Sequence, residues 1–116
     1  MRELTISIPF VPVPKARPRV GKTRTVMPKR YKGSRGHVAW YMVDARNRAG
    51  PWEKVGSYHV EIVFFGKTRG DVDNLAGTIL DAGTGVLWDD DRQVLKLSCE
   101  KRLLGEPGTT LVVRRV

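Results

Sequence analysis

Cysteine and histidine are scarce in this 116-residue chain. One cysteine excludes an internal disulfide, and two histidines without a nearby partner exclude the spacing of a structural zinc site. No hydrophobic run approaches the ~18 residues of a membrane span, and the first residues lack the long apolar stretch of a signal peptide. We therefore expect a cytoplasmic protein of a reducing compartment that has no membrane partner.

Acidic residues are almost absent from the first half of the chain. Residues 1–50 hold twelve Lys and Arg against two acidic residues, a net charge of +10, whereas residues 51–116 carry −1. Residues 15–35 contain nine basic side chains and no acidic one, and residues 71–91 contain six aspartates and no basic residue. The basic segment favours contact with nucleic-acid phosphates. The acidic segment needs another explanation, because aspartates repel phosphates.

Apolar spacing and helix or strand breakers predict a small single-domain α/β fold, a mixed β-sheet with two main helices. With 41% hydrophobic residues the chain can build a core, and its length predicts one domain over residues 1–116. The predicted elements are strands at 4–8, 57–65, 94–102 and 109–115, helices at about 36–47 and 73–82, and a basic loop at about 12–35.

Two groups of aspartates lie at the ends of predicted strands. Asp71 and Asp73 follow one strand, and at an extended strand end residues two apart point to the same side. If sheet pairing brings Asp91 beside them, three carboxylates converge and repel one another unless a cation binds. Oxygen ligands alone suit Mg²⁺ or Mn²⁺, which activate water in phosphodiester hydrolysis. We therefore predict a metal site for phosphodiester cleavage.

The same aspartates allow a second interpretation. Asp71 and Asp73 can cap a helix, and residues 89–91 can form a solvated turn. The basic segment would then act alone. The chain would be a non-catalytic basic nucleic-acid-binding protein.

Several motifs occur in an order that is similar to one nuclease family. They are Pro12-Val13-Pro14-Lys15-Ala16-Arg17-Pro18-Arg19, Gly70-Asp71-Val72-Asp73-Asn74-Leu75, Leu80-Asp81 and Trp88-x-Asp90-Asp91-x-Gln93-Val94. The series resembles the signature of the RusA family of Holliday junction resolvases and covers most of the chain.

The resemblance implies a Mg²⁺-dependent endonuclease, with Mn²⁺ as a substitute, that resolves four-way DNA junctions by paired cuts in DNA recombination and repair. It implies a RusA-like fold in an intertwined homodimer of bacterial or phage origin. Two subunits also suit the substrate, because a nearly two-fold symmetric junction needs two cuts and the chain holds one acidic cluster. Matching the motifs implies catalytic and metal-binding roles for Asp71, Asp73 and Asp91, with Asp90 as a further candidate ligand.

Gly77 departs from the family pattern. The pattern D-N-L-x-K carries a catalytic lysine four residues after the second aspartate, where this chain has glycine. Another cation must take its place, or catalysis is impaired and the protein only binds junctions. Lys67 and Arg69 are the nearest candidates in sequence, and a basic residue from a dimer partner is another.

The basic loop is the predicted DNA-binding segment, with prolines that stiffen the backbone. The candidate phosphate contacts are Lys15, Arg17, Arg19, Lys22, Arg24, Lys29 and Arg30.

Overall fold

The computed structural model describes residues 3–15, 19–20, 25–26, 29–68 and 70–116, with the backbone alone for 19–20, 25–26 and 29–31. A four-stranded mixed sheet and two long helices form the fold, which confirms the predicted α/β class. The elements are β1 (Glu3–Ile8), β2 (Arg19–Val20), β3 (Thr25–Val26), α1 (Lys29–Ala49), β4 (Tyr58–Phe65), α2 (Val72–Gly83), a 3₁₀ turn (Asp91–Gln93), β5 (Val94–Arg102) and β6 (Gly108–Arg115).

The strand order β1-β6-β4-β5 combines two antiparallel pairs with one parallel pair. β6 runs antiparallel to both β1 and β4, and β4 runs parallel to β5. Parallel neighbours need a crossover, which α2 supplies. The register places Arg102 beside Phe65 at one end of the sheet and Val94 beside Tyr58 at the other. The segment that follows β4 and the segment that leads into β5 therefore lie at opposite ends of the sheet.

The core lies between one face of the sheet and the two helices. β1 alternates strictly, with Leu4, Ile6 and Ile8 buried between exposed residues. α2 buries Leu75 and Ile79, which are four residues apart and share one helix face. Within the described segments, neither helix is long and apolar enough to cross a membrane.

α1 begins at Lys29, whereas the sequence pattern predicts a start at about residue 36. Gly33 and Gly36 lower the helix propensity of the first turns, which is why the pattern places the boundary too late. Tertiary contacts offset this, since the Ser34 hydroxyl accepts a 2.8 Å hydrogen bond from the Val13 amide. The last part of the predicted basic loop is therefore helical, and β2 pairs with β3 inside the same segment.

The chain after α2 is held firmly against the core. Trp88 is fully buried, and a Cβ on Gly83 would lie 2.6 Å from its Cζ2 atom, so only glycine fits there. The Trp52 indole donates a 2.8 Å hydrogen bond to the Leu87 carbonyl. The acidic turn that follows Trp88 consequently starts from a fixed point.

Candidate active site

Residues 70–73, which we call the acidic corner, lie where the chain enters α2. Asp71 is the N-cap residue in extended conformation, and its carbonyl accepts a 3.0 Å hydrogen bond from the Leu75 amide while its carboxylate caps nothing. The Asp71 and Asp73 side chains are exposed, and within the described part of the chain neither forms a hydrogen bond or ion pair. The helix N-terminus stabilises these two charges, which remain available to a cation.

Residues 13–15, which we call the strap, lie along the first turns of α2. The Lys15 amide donates a 2.9 Å hydrogen bond to the Asn74 carbonyl. The Thr78 hydroxyl donates a 2.7 Å bond to the Val13 carbonyl. The start of the basic segment is thus attached to the helix that carries the acidic corner.

Two glycines let the strap approach this closely. Gly70 has φ +93°, and a Cβ there would lie 2.3 Å from Pro14 Cγ. A Cβ on Gly77 would lie 3.1 Å from Lys15 Cδ, so the lysine stem occupies the space above that glycine. Beyond it, the Lys15 ammonium forms a 3.3 Å ion pair with Asp81.

The side-chain amide of Gln93 holds the acidic turn in place. Its oxygen accepts hydrogen bonds from the amides of Asp89 (2.9 Å) and Asp90 (2.8 Å). Its nitrogen donates to the carbonyls of Lys54 (2.8 Å) and Gly56 (2.9 Å). Gln93 therefore links the turn to the segment before β4, a role that the sequence motif did not reveal.

Asp90 and Asp91 differ in how their carboxylates are used. Asp90 caps the 3₁₀ turn and accepts hydrogen bonds from the Arg92 amide (2.9 Å) and guanidinium (3.2 Å). The bond from the Arg92 amide, and after it the bond from the guanidinium, lower the pKa of the Asp90 carboxyl. Asp91 is exposed and is not needed for the cap. An open groove is lined by Arg35, Asp81, Thr84, Asp90 and Asp91.

The structure brings the predicted site residues together in two places. Asp71 and Asp73 share the acidic corner, whereas Asp91 lines the groove that also holds Asp81. Asp81 itself is about 12 Å from Asp73 along the axis of α2. Among the described residues, no group of three or more His, Cys, Asp or Glu side chains is arranged to hold a metal ion. The expected convergence of three carboxylates is not seen within one chain, and their ligand roles stay predictions.

The predicted cations fall partly within the described structure. Lys67 is exposed in the loop between β4 and α2, and Lys15 lies in the strap. Arg19, Lys29 and Arg30 are described by their backbone alone. Outside the described residues lie Arg17, Lys22, Arg24 and Arg69.

Lys101 is a neighbour of the acidic corner that sequence reasoning missed. Its ammonium donates a 2.9 Å hydrogen bond to the Gly70 carbonyl, directly before Asp71. The contact depends on parallel pairing, which places the end of β5 beside the end of β4. Only knowledge of that pairing could have drawn attention to this lysine.

The fold and site define a small α/β domain with exposed carboxylates at a helix N-terminus beside a basic segment. The model of the family described as endodeoxyribonuclease RusA matches residues 9–114. The chain therefore belongs to the RusA family, as the motifs indicated, and membership implies a junction-resolving endonuclease that binds branched DNA. Resolvases of this family are generally dependent on a divalent metal. No curated protein matches the chain.

Proposed function

We propose that residues 1–116 form one endonuclease domain that resolves four-way DNA junctions by paired, Mg²⁺-dependent phosphodiester cleavage in recombination and repair. The observation that carries the proposal is the pair of exposed carboxylates at Asp71 and Asp73, which no described cation neutralises. Family membership supplies the substrate class. The strap supports it further, because it joins the basic segment directly to the acidic corner.

The donor chemistry at this site fits a hard divalent cation. Asp71, Asp73 and Asp91 offer exposed carboxylate oxygens, the ligands that Mg²⁺ prefers. We assign the metal site to these three residues, and Asp90 contributes through the cap that presents Asp91. When bound, the ion would activate water and stabilise charge on the phosphate. In the net reaction the water oxygen bonds to phosphorus, one P–O ester bond breaks, and the leaving deoxyribose oxygen takes up a proton.

A homodimer would bring the separated carboxylates together. β5 is at the edge of the sheet, with no neighbour on its outer side among the described strands. Leu95 and Leu97 on this strand are 65% and 40% exposed, respectively. An exposed, partly apolar edge is a template for pairing with a second copy. We assign the dimer contact to this edge.

Two-fold symmetry makes the β5 strands of two protomers antiparallel at such a contact. The start of the partner strand, with the partner's Asp91, would then lie beside the end of β5. There Lys101 contacts Gly70 at the acidic corner. Each site would consist of Asp71 and Asp73 from one protomer and the partner's Asp91.

Cleavage of a labelled four-way junction tests the function directly. We expect paired cuts with Mg²⁺, and binding without cutting in EDTA or Ca²⁺, because Ca²⁺ has a larger and looser coordination shell. Linear duplex of the same sequence is the control substrate. Junction binding without cleavage in Mg²⁺ or Mn²⁺ would favour a non-catalytic junction-binding protein instead.

A further inference from the structure

We propose that Lys15 is the catalytic cation of this site and contacts the scissile phosphate from the surface of α2 above Gly77. The inference rests on the proposed function and goes beyond it, because it names the positive charge that contacts the phosphate in place of a lysine at position 77. It begins from the lysine stem, whose Cδ would be 3.1 Å from a Cβ at position 77.

Lys15 packs against the outer surface of α2, and this position gives its ammonium access to the acidic corner. Asp73, Gly77 and Asp81 are four residues apart and form one row on the helix surface. The stem lies over the middle of that row, and each end is about 6 Å away along the axis. The ammonium is 3.3 Å from Asp81 at one end. A phosphate bound at the Asp73 end lies within reach of the same flexible stem.

The backbone of Lys15 is fixed although its ammonium is accessible. The Lys15 amide bonds to the Asn74 carbonyl, and Thr78 holds the preceding turn of the strap through Val13. The side chain of Lys15 nevertheless stays 45% exposed. Only the end of the side chain has to be ordered when DNA binds, which lowers the entropic penalty.

The ion pair with Asp81 does not block this role. Both partners are partly exposed, and such pairs contribute little to stability in water. Exchange of Asp81 for a phosphate oxygen therefore requires little free energy. Once moved, the ammonium stabilises negative charge that develops on the non-bridging oxygens as water attacks phosphorus.

A side chain at position 77 and the Lys15 stem would compete for the same space. A Cβ at position 77 would also lie 3.3 Å from Lys15 Cβ, closer than ordinary packing allows. A side chain there would force the stem to shift by a few tenths of an ångström, so the Lys15 stem packs this closely on α2 because position 77 is glycine. Of the other described lysines near the corner, Lys101 holds the Gly70 carbonyl, and Lys67 is exposed in the loop that leads to the corner.

A swap of the cation between the two positions tests the proposal. The variants are Lys15→Met, which keeps an unbranched stem over Gly77, and the double variant Lys15→Ala/Gly77→Lys, which removes the stem beyond Cβ and places a lysine at position 77. Arg48→Met is the matched control, because it removes one positive charge from an exposed position of α1 beside β1, at the opposite edge of the sheet from the proposed dimer contact. Single-turnover cleavage of a four-way junction with Mg²⁺ is measured for each variant, together with junction affinity and melting temperature.

We expect Lys15→Met to cleave about 10²-fold more slowly, the loss typical of one preorganised electrostatic interaction. Its melting temperature should stay unchanged, and its affinity should fall no further than the removal of one phosphate-binding charge explains. The double variant should recover most of the rate, and Arg48→Met should cleave like the wild type.

Three results would overturn the proposal. The first is cleavage by Lys15→Met at the wild-type rate. The second is a loss of rate in Lys15→Met that matches a lowered melting temperature. The third is a double variant that cleaves as slowly as Lys15→Met. A wild-type protein that never cuts the junction overturns the proposed function itself. Because the wild type is measured first, the two failures are distinguishable.

Discussion

Pro14 and Gly70 are in such close contact that a Cβ at position 70 would lie 2.3 Å from Pro14 Cγ. Gly70 also has φ +93°, a conformation that L side chains rarely adopt. The contact joins the strap to the acidic corner at the residue before Asp71. Gly70, the first residue of the aspartate motif, is therefore required for the strap to pack against the acidic corner.

Replacing this glycine should reduce stability more than backbone strain explains. Gly85→Ala is the matched control, because Gly85 has φ +87° but open space around its Cβ position. We expect Gly85→Ala to lower the free energy of unfolding by about 1–2 kcal/mol through strain alone. Gly70→Ala should lose about 1–3 kcal/mol more through overpacking against Pro14. Urea denaturation measures both, and equal losses would contradict the contact.

Neutralising single carboxylates should separate cleavage from binding. Asp71→Asn, Asp73→Asn and Asp91→Asn should each abolish cutting, since each removes a proposed metal ligand. Junction affinity should stay the same or rise, because less negative charge faces the phosphates. Retained cleavage in all three variants would refute the assigned metal site.

Mixing variants should show whether each site is shared between protomers. In a heterodimer of Asp71→Asn and Asp91→Asn chains, one shared site has all its carboxylates, so nicking should return. The Asp71→Asn and Asp73→Asn pair is the control, since every shared site then lacks one ligand. Cleavage is measured after the two proteins are unfolded and refolded together. No recovery in the first mixture would mean that each chain builds its site alone.

Gln93 should matter for the acidic turn although it carries no charge. Gln93→Leu has a similar size but removes partners from four backbone groups, at Asp89, Asp90, Lys54 and Gly56. We expect a loss of about 1–3 kcal/mol in the free energy of unfolding and slower cleavage, because Asp91 loses its fixed position. Chemical denaturation and junction cleavage measure the two effects. A variant as stable and as active as the wild type would contradict the role of this amide.

The basic segment should act through phosphates and not through bases. Replacing Arg17 and Arg19 with Gln leaves Lys15 in place, so its proposed catalytic role stays separate. Affinity should fall for junctions of every sequence, and the slope of log K against log salt should flatten by about 0.9 for each phosphate that is no longer neutralised. Binding titrations at several salt concentrations measure this slope. Lower affinity with an unchanged slope would indicate an effect on folding or dimerisation.

Local sequence patterns were sufficient for most of the secondary structure. α2 begins at Val72, one residue from its predicted start, because apolar residues at helical spacing follow a strong N-cap sequence. The alternation in β1 likewise matches its buried and exposed faces. The predicted start of α1 was wrong because Gly33 and Gly36 lower the local helix propensity, whereas contacts with the strap stabilise the helix there.

The identity of the acidic residues and their family could be recognised from residue types and spacing, because such motifs are short and local. Their neighbours were decided by the tertiary structure. Parallel pairing of β4 with β5 separates Asp91 from Asp73 and brings Lys101 to Gly70, and strand direction leaves no local signature in a chain. The contact of Lys15 with Gly77 joins residues 62 positions apart, and it exists because a glycine leaves space that a distant stem can fill.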